Sequence, residues 1–198
     1  MNKGYKKSVW SSVLGDIGIT SGRKYLEVKI IKFENPSNGW VQQNSPHNLP
    51  PHFSHFNLNI ITLKKALGFG VTDLVKDFEF NHFAHKDNLQ KGVKRAVAFF
   101  ATGKISKLEQ NVASDIDTDK SFGMDDRVGV LLDFRDTFIQ FFVNGEPAGP
   151  SIKFSFDNSS DLPLVPALSL NSGPDNLFEV MIIADATIPS PPSTPDFK

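Results

Sequence analysis

The stretch "VGVLLDFRDTFIQFFVNGEPAG", residues 128 to 149, decides how the chain folds. It is apolar almost throughout, yet it contains Asp133, Arg135, Asp136, Gln140 and the pair Asn144-Gly145. Side chains alternate across a strand, so Val128, Val130, Leu132 and Phe134 share one face while Gly129, Leu131 and Asp133 share the other. The first set is expected to face a core. A second strand over 138 to 143 sends Ile139, Phe141 and Val143 to one side by the same rule. Arg135-Asp136-Thr137 connect the two strands, and Asn144-Gly145 offer the positive-φ residues that a tight turn needs. Pro147 and Pro150 are expected to hold the next segment out of a central ladder until Ser151. On this reading the polar residues punctuate a fold and do not form a site.

Outward from that stretch, short runs rich in Val, Ile, Leu and Phe recur between Gly, Pro, Asn, Asp and Ser, which is the pattern of strands joined by turns. Further strands are expected at 7 to 13, 24 to 33, 67 to 71, 95 to 101, 151 to 156, 163 to 170 and 177 to 184. Several are apolar on both faces, as strands are when one face packs on an opposite sheet and loops cover the other. The fold class is therefore all-β, a sandwich. Stretches 34 to 58, 72 to 94 and 106 to 124 read as long loops, and loops of that length in a compact domain are usually functional or disordered. The second could open with a short helix capped by Thr72 or Asp73, since Leu74, Val75 and Phe78 then share a face. One domain is expected over 1 to 186, with "IPSPPSTPDFK" supplying a Pro-rich tail or linker over 187 to 198.

Composition removes several function classes. The chain has 198 residues, 39% of them hydrophobic and 22% charged, with a net charge of -1. That charge exerts no bulk pull toward nucleic acid or anionic membrane, so neither is an expected partner. There is no cysteine, which excludes disulfides, thiolate nucleophiles and cysteine-ligated metals and points to the cytoplasm or nucleus. No apolar run follows the basic residues of "MNKGYKKSVWSS", and nowhere do about 18 consecutive apolar residues occur, so neither a signal peptide nor a spanning helix is expected.

Individual motifs each have a plainer reading. All five histidines fall in two of the long stretches: His47, His52 and His55 in one, His82 and His85 in the other. The pairs H-F-S-H and H-F-A-H are spaced to converge on a borderline metal, but without cysteine or a neighbouring carboxylate they read as loop residues, and no metal or cofactor is expected. "DIDTDKSFGMDD", residues 115 to 126, imitates a calcium loop at Asp115, Asp117, Asp119 and Asp126. It has Lys120 where that loop needs glycine, so it reads as an acidic solvated loop. Asn158-Ser159-Ser160 is a formal glycosylation sequon that reads as a turn. Pro189, Pro192 and Pro195 have the spacing of an SH3-type ligand, though a linker explains them as well. No G-x-S-x-G elbow, phosphate-binding loop or H-E-x-x-H motif is present, so an enzyme is not expected. Glycosidases carry no compact motif, and Glu27 and Glu179 are the strand carboxylates to examine, although both alternate as ordinary outward-facing residues do.

An ordered set of motifs resembles the SPRY domain family. "GITSGRKYLEVKI" (18 to 30) is similar to its glycine turn and Tyr-Phe-Glu-Val strand, with Leu26 in place of Phe. "LGFGVTD" (67 to 73) and "AVAFFATGKI" (96 to 105) fall where its next strands stand. "FGMDDRVGVLLDFRDTFIQFFVNGEPAGPSIKF" (122 to 154) resembles its F-x-x-G-D-x-I-G-V-x-L-D run ending in F-x-x-N-G, and "LPLVPALSL" (162 to 170) its closing L-Y-P-A-V-S-L. Asp125 stands where the family has Gly, stretch 34 to 58 is longer than expected, and the Leu-Asp-Pro motif of an upstream PRY subdomain is missing. The resemblance implies a bent two-sheet antiparallel β-sandwich of the concanavalin-like jelly-roll class. It also implies a non-enzymatic module that binds a peptide or protein partner through loops at one end of the sandwich, often within a ubiquitin-ligase or scaffold complex.

The family's binding residues vary, so the ligand surface is argued from the loops themselves. Large aromatic residues anchor interfaces. Trp40, Phe53, Phe56, Phe80 and Phe83, interleaved with His52, His55 and His82, are the expected ligand-binding residues, on loops 34 to 58 and 72 to 94 meeting at one end. A carbohydrate-binding, lectin-like sandwich is the alternative, and a glycoside hydrolase a third.

Overall fold

A computed structural model describes residues 9–34, 55–59, 67–74, 84, 92–109, 112–156, 162–172, 177–183 and 186–189. The described residues form two antiparallel sheets of six strands each. The first has the order β1 (Val9–Leu14), β11 (Leu164–Ser172), β4 (Leu67–Asp73), β5 (Arg95–Phe100), β6 (Lys104–Glu109) and β7 (Val112–Asp117). The second runs β10 (Glu146–Lys153), β9 (Phe138–Val143), β8 (Arg127–Asp133), β2 (Arg23–Glu34), β12 (Leu177–Ile183) and β3 (His55–Asn59). No described residue is helical.

The core is built as the alternation requires. Val128, Val130, Leu132, Ile139 and Phe141 are fully buried, and Phe134 packs against them from just beyond β8. Facing them from the first sheet are Phe69, Val71, Val97, Phe99 and Ile105. Phe99 meets Phe141 across the two sheets at 5.5 Å between ring centroids, and meets Phe122 from the β7–β8 connection at 5.2 Å. The turns carry the expected chemistry. Asn144 and Gly145 have φ of 53° and 83°, and Asp133 Oδ1 accepts from the backbone N–H groups of Arg135 and Asp136, an Asx turn that closes the β8–β9 connection.

Both outer faces are also partly covered, each by a large ring lying over a glycine. Gly68 stands opposite Phe100, and a Cβ on it would sit 2.6 Å from that ring. A Cβ on Gly129 would sit 2.1 Å from Tyr25 Oη, and the Tyr25 ring meets Phe142 edge-on at 5.7 Å. On the first sheet Ala84 and Val93 pack over Ala96, Ala98, Phe100, Leu108 and Ala167.

Several expectations need correction. His55 and Phe56 belong to strand β3. "HFNLN" alternates with period two, a signal too short to stand out among the turn formers before it. Stretch 106 to 124 holds most of β6 and all of β7. β7 was illegible because it is an edge strand exposed at every position except the half-buried Ile116, so its sequence needs almost no apolar residues. Thr72 and Asp73 are the buried last two residues of β4, and the helix expected after them lies outside the described residues. β10 begins at Glu146, ahead of Ser151, because it is the outermost strand and tolerates Pro147 and Pro150 there, with a register shift between Ala148 and Ile152. Glu27 does lie on the outer face, but it is buried, with Arg127 Nη1 at 3.6 Å and Tyr25 Oη at 3.4 Å.

Phe141→Ala is expected to cost about 3 to 5 kcal/mol, read from a urea midpoint shift at unchanged slope. Gly129→Ala, which meets only the far end of Tyr25, should cost about 1 to 3 kcal/mol as overpacking does.

Candidate interaction surface

One end of the sandwich is built by backbone hydrogen bonds between three connections. Gly15 N donates to the Pro166 carbonyl (2.7 Å), Ile19 and Leu164 exchange bonds of 2.7 and 3.2 Å, and Leu74 N donates to the Pro163 carbonyl (3.1 Å). Phe134 N donates to the Gly22 carbonyl (3.0 Å), which brings the start of β2 and the end of β8 to the same place. Three of the exposed large apolar residues gather here: Ile17, 73% exposed, Leu74, 40%, and Leu162, 38%. Apolar side chains held in solvent by a bonded framework have no folding reason to stand together, and such patches commonly mark interaction sites.

Two aspartates, each the last residue of its strand, brace this end. Asp73 ends β4 fully buried. Its Oδ2 accepts from the backbone N–H groups of Lys94 (3.0 Å) and Arg95 (2.8 Å), and its Oδ1 from Arg95 Nε (3.0 Å) and Nη2 (2.8 Å). Arg95 Nη2 also donates to the Leu162 carbonyl at 2.8 Å. One carboxylate and one guanidinium thus join the end of β4, the start of β5 and the approach to β11, since the planar fork of arginine lets Nε and Nη2 converge on Oδ1 while Nη2 also reaches the Leu162 carbonyl. Asp133 ends β8 and repeats the arrangement in the other sheet, with Arg23 Nε at 2.9 Å. Burial first, and then the Glu27 carboxylate, hold the Tyr25 phenol above its ordinary range, so it stays protonated on the outer face.

Of the residues expected to bind, Trp40, His52, Phe53, Phe80, His82 and Phe83 lie outside the described residues. His55 and Phe56 pair through their backbone with Met181 and Val180 of β12. The backbone at the ends of the two stretches is fixed. Asp73 and Arg95 root residues 74–94 at the end just described. β2 leaves at the other end, because Ile30 is bonded to Asp125 and Asp126, and Phe122, just ahead of them, to Ala101, which is bonded to Leu67 at the start of β4. Ile17, Leu74 and Leu162 are aliphatic, so aromatic content does not reveal them in the sequence. The available signal was an isoleucine between turn formers in Gly15-Asp16-Ile17-Gly18.

The carboxylates Glu27 and Glu179 do not form a catalytic pair. Glu27 stands opposite Ile183 and Glu179 opposite Lys32, which separates them by four residues of β12, about 13 Å at the rise of a strand, beyond the spacing that glycoside hydrolysis uses. Among the described residues no three His, Asp or Glu side chains are grouped to hold a metal ion, and no helix is long and apolar enough to cross a membrane.

The family model described as the SPRY domain matches residues 66–181, more than half of the chain. The chain belongs to the SPRY domain family. SPRY domains are in general protein-interaction modules. Among solved structures the chain is similar to the crystal structure of the SPRY domain of human HERC1, at 21% identity and a TM-score of 0.52, covering 90% of this chain and 85% of that one. A stonustoxin structure aligns at 13% identity and a TM-score of 0.46, over 87% of this chain and 22% of that one. No match was found among curated protein sequences. The HERC1 likeness bears on the fold alone, and it agrees with the two-sheet sandwich of this SPRY domain.

Asp73→Ala leaves the buried Arg95 guanidinium without its carboxylate, and breaking a buried pair in this way costs about 3 to 5 kcal/mol. Thermal unfolding followed by circular dichroism should show the loss. The rim pair Arg23–Asp133, with Arg23 half in solvent, should lose far less on Arg23→Ala, about 1 kcal/mol or under.

Proposed function

We propose that this SPRY domain is a non-enzymatic, intracellular protein-interaction module. It grips a peptide or partner surface with the end of the sandwich that carries Ile17, Leu74 and Leu162, as the recruiting part of a ubiquitin-ligase or scaffold complex. The observation that supports this reading is the exposure of three aliphatic side chains on a framework braced by Asp73 and Arg95. A rigid scaffold presenting apolar groups loses little conformational freedom on binding, so more of the contact energy appears as affinity. Phe80, His82 and Phe83 belong to the stretch rooted at this end and extend the surface. Trp40, His52, Phe53, His55 and Phe56 come from the other long stretch, which leaves β2 at the opposite end, and add a second contact to the same partner.

The test compares wild type with Ile17→Asp, Leu162→Asp, Trp40→Ala and Phe83→Ala in affinity purification with quantitative mass spectrometry from the native cell. Partners retained by wild type should be depleted from the variants, and the melting temperatures of Ile17→Asp and Leu162→Asp should stay within about 3 °C, as expected for exposed positions. Retention of the same partners by every variant would overturn the placement of the surface. A drop in melting temperature for Trp40→Ala or Phe83→Ala would assign that side chain to packing.

A further inference from the structure

The β7 edge of the first sheet has a property that the end surface does not share: it presents an open row of backbone hydrogen-bonding groups. β7 pairs with β6 over six consecutive residues without a register shift, and no described strand lies on its other side. The bond from Thr118 N to the Gly103 carbonyl (2.8 Å) sets the phase of that ladder. Bonded and non-bonded pairs alternate in an antiparallel ladder. Ile116, Ser114 and Val112 therefore spend their N–H and C=O groups on β6, while Ala113, Asp115 and Asp117 point theirs away from the sheet. Val112 is 63% exposed, and the Asp115 and Asp117 side chains are 56% and 89% exposed, so among the described residues the edge is left uncovered.

Open edges are usually guarded against adventitious pairing. β10, at the rim of the other sheet, is guarded by Pro147, Pro150 and its irregular register. β7 has neither proline nor bulge. Its selectivity comes from its side chains. Asp115 and Asp117 share one face of the strand and a single cation, Lys104 Nζ, at 3.7 Å from each, which leaves that face net negative. Between them Ile116 turns the other way, half-buried against the core. Side chains directly opposite each other on neighbouring strands interact, and opposite charges there are favourable. A strand that fits has a basic residue opposite each aspartate and an aliphatic residue opposite Ile116.

We propose that β7 is a docking edge that takes up an extended peptide with alternating basic and aliphatic residues, added as a further strand of the sheet. The main-chain bonds come from Ala113, Asp115 and Asp117, and the charge pattern selects the register. The calcium-loop likeness of residues 115 to 126 thus has a plainer source: aspartates on alternate positions of an edge strand.

The test uses the full chain and a fluorescein-labelled peptide Gly-Ser-Arg-Val-Arg-Val-Arg-Gly-Ser, followed by fluorescence anisotropy. The control peptide has the same composition in the order Gly-Ser-Arg-Arg-Arg-Val-Val-Gly-Ser, which keeps the charge and destroys the alternation. The alternating peptide should bind about tenfold more tightly than the control, as a few matched cross-strand pairs imply. Ala113→Pro removes an outward N–H without touching a β6 bond or a charge, and should weaken binding about threefold to tenfold, the worth of one hydrogen bond. Asp115→Asn combined with Asp117→Asn should erase the preference between the peptides. In the wild type, amide exchange at Ala113, Asp115 and Asp117 should slow when the peptide is added, while that of β10 is unchanged. Equal binding of the two peptides, or no binding, overturns the proposal. So does an unaffected affinity in a folded Ala113→Pro variant. Should that variant melt early, the wild-type amide exchange decides, and no slowing at those three residues overturns it.

Discussion

The contact of Phe99 with Phe141 holds the rest in place. Each lies in a different sheet, both are fully buried, and Phe122 closes on Phe99 from the connection between them. Two sheets pack at about 10 Å, a distance that paired rings fill without a void, and everything on the outer faces follows from keeping the inner ones together. Lys107 and Glu109 of β6 pair with each other and reach the end of β10 through the Lys153 carbonyl and the Ser155 N–H. These bonds close one flank of the sandwich around that aromatic centre.

The central strands were legible because burial on both faces writes itself into sequence as continuous apolar runs. Residues 128 to 143 announced two strands, their connection and the Asn144-Gly145 turn, and the structure has each of them. Legibility fell with burial. β7 needs one half-buried side chain and shows one, so its residues looked like a solvated acidic loop. β3 offered only five residues of alternation. Pairings distant in sequence were invisible in principle, and the end surface depends on such pairings. Ile17, Leu74 and Leu162 come to the same end only because Ile19 bonds to Leu164 and Leu74 to Pro163.

Charge in this SPRY domain divides into two kinds of work. Asp73 and Arg95 are removed from water and used to bind three chain segments at fixed distances, where a loss of either partner strands a buried ion. Lys104, Asp115 and Asp117 stay in solvent, where ion pairs contribute little to folding and remain available to other charges. The same residue types thus serve as framework at the end of the sandwich and as a selective surface along its rim.

The strand order also has a consequence in time. β11 lies between β1 and β4, and β12 between β2 and β3, so the two described strands latest in sequence fill the interior of both sheets. Until residues 164 to 183 emerge, β1 and β2 lack neighbours that they will later bond along most of their length. Closing such long-range pairs is slow. A nascent chain of this topology therefore holds both sheets incomplete until β11 and β12 have been made.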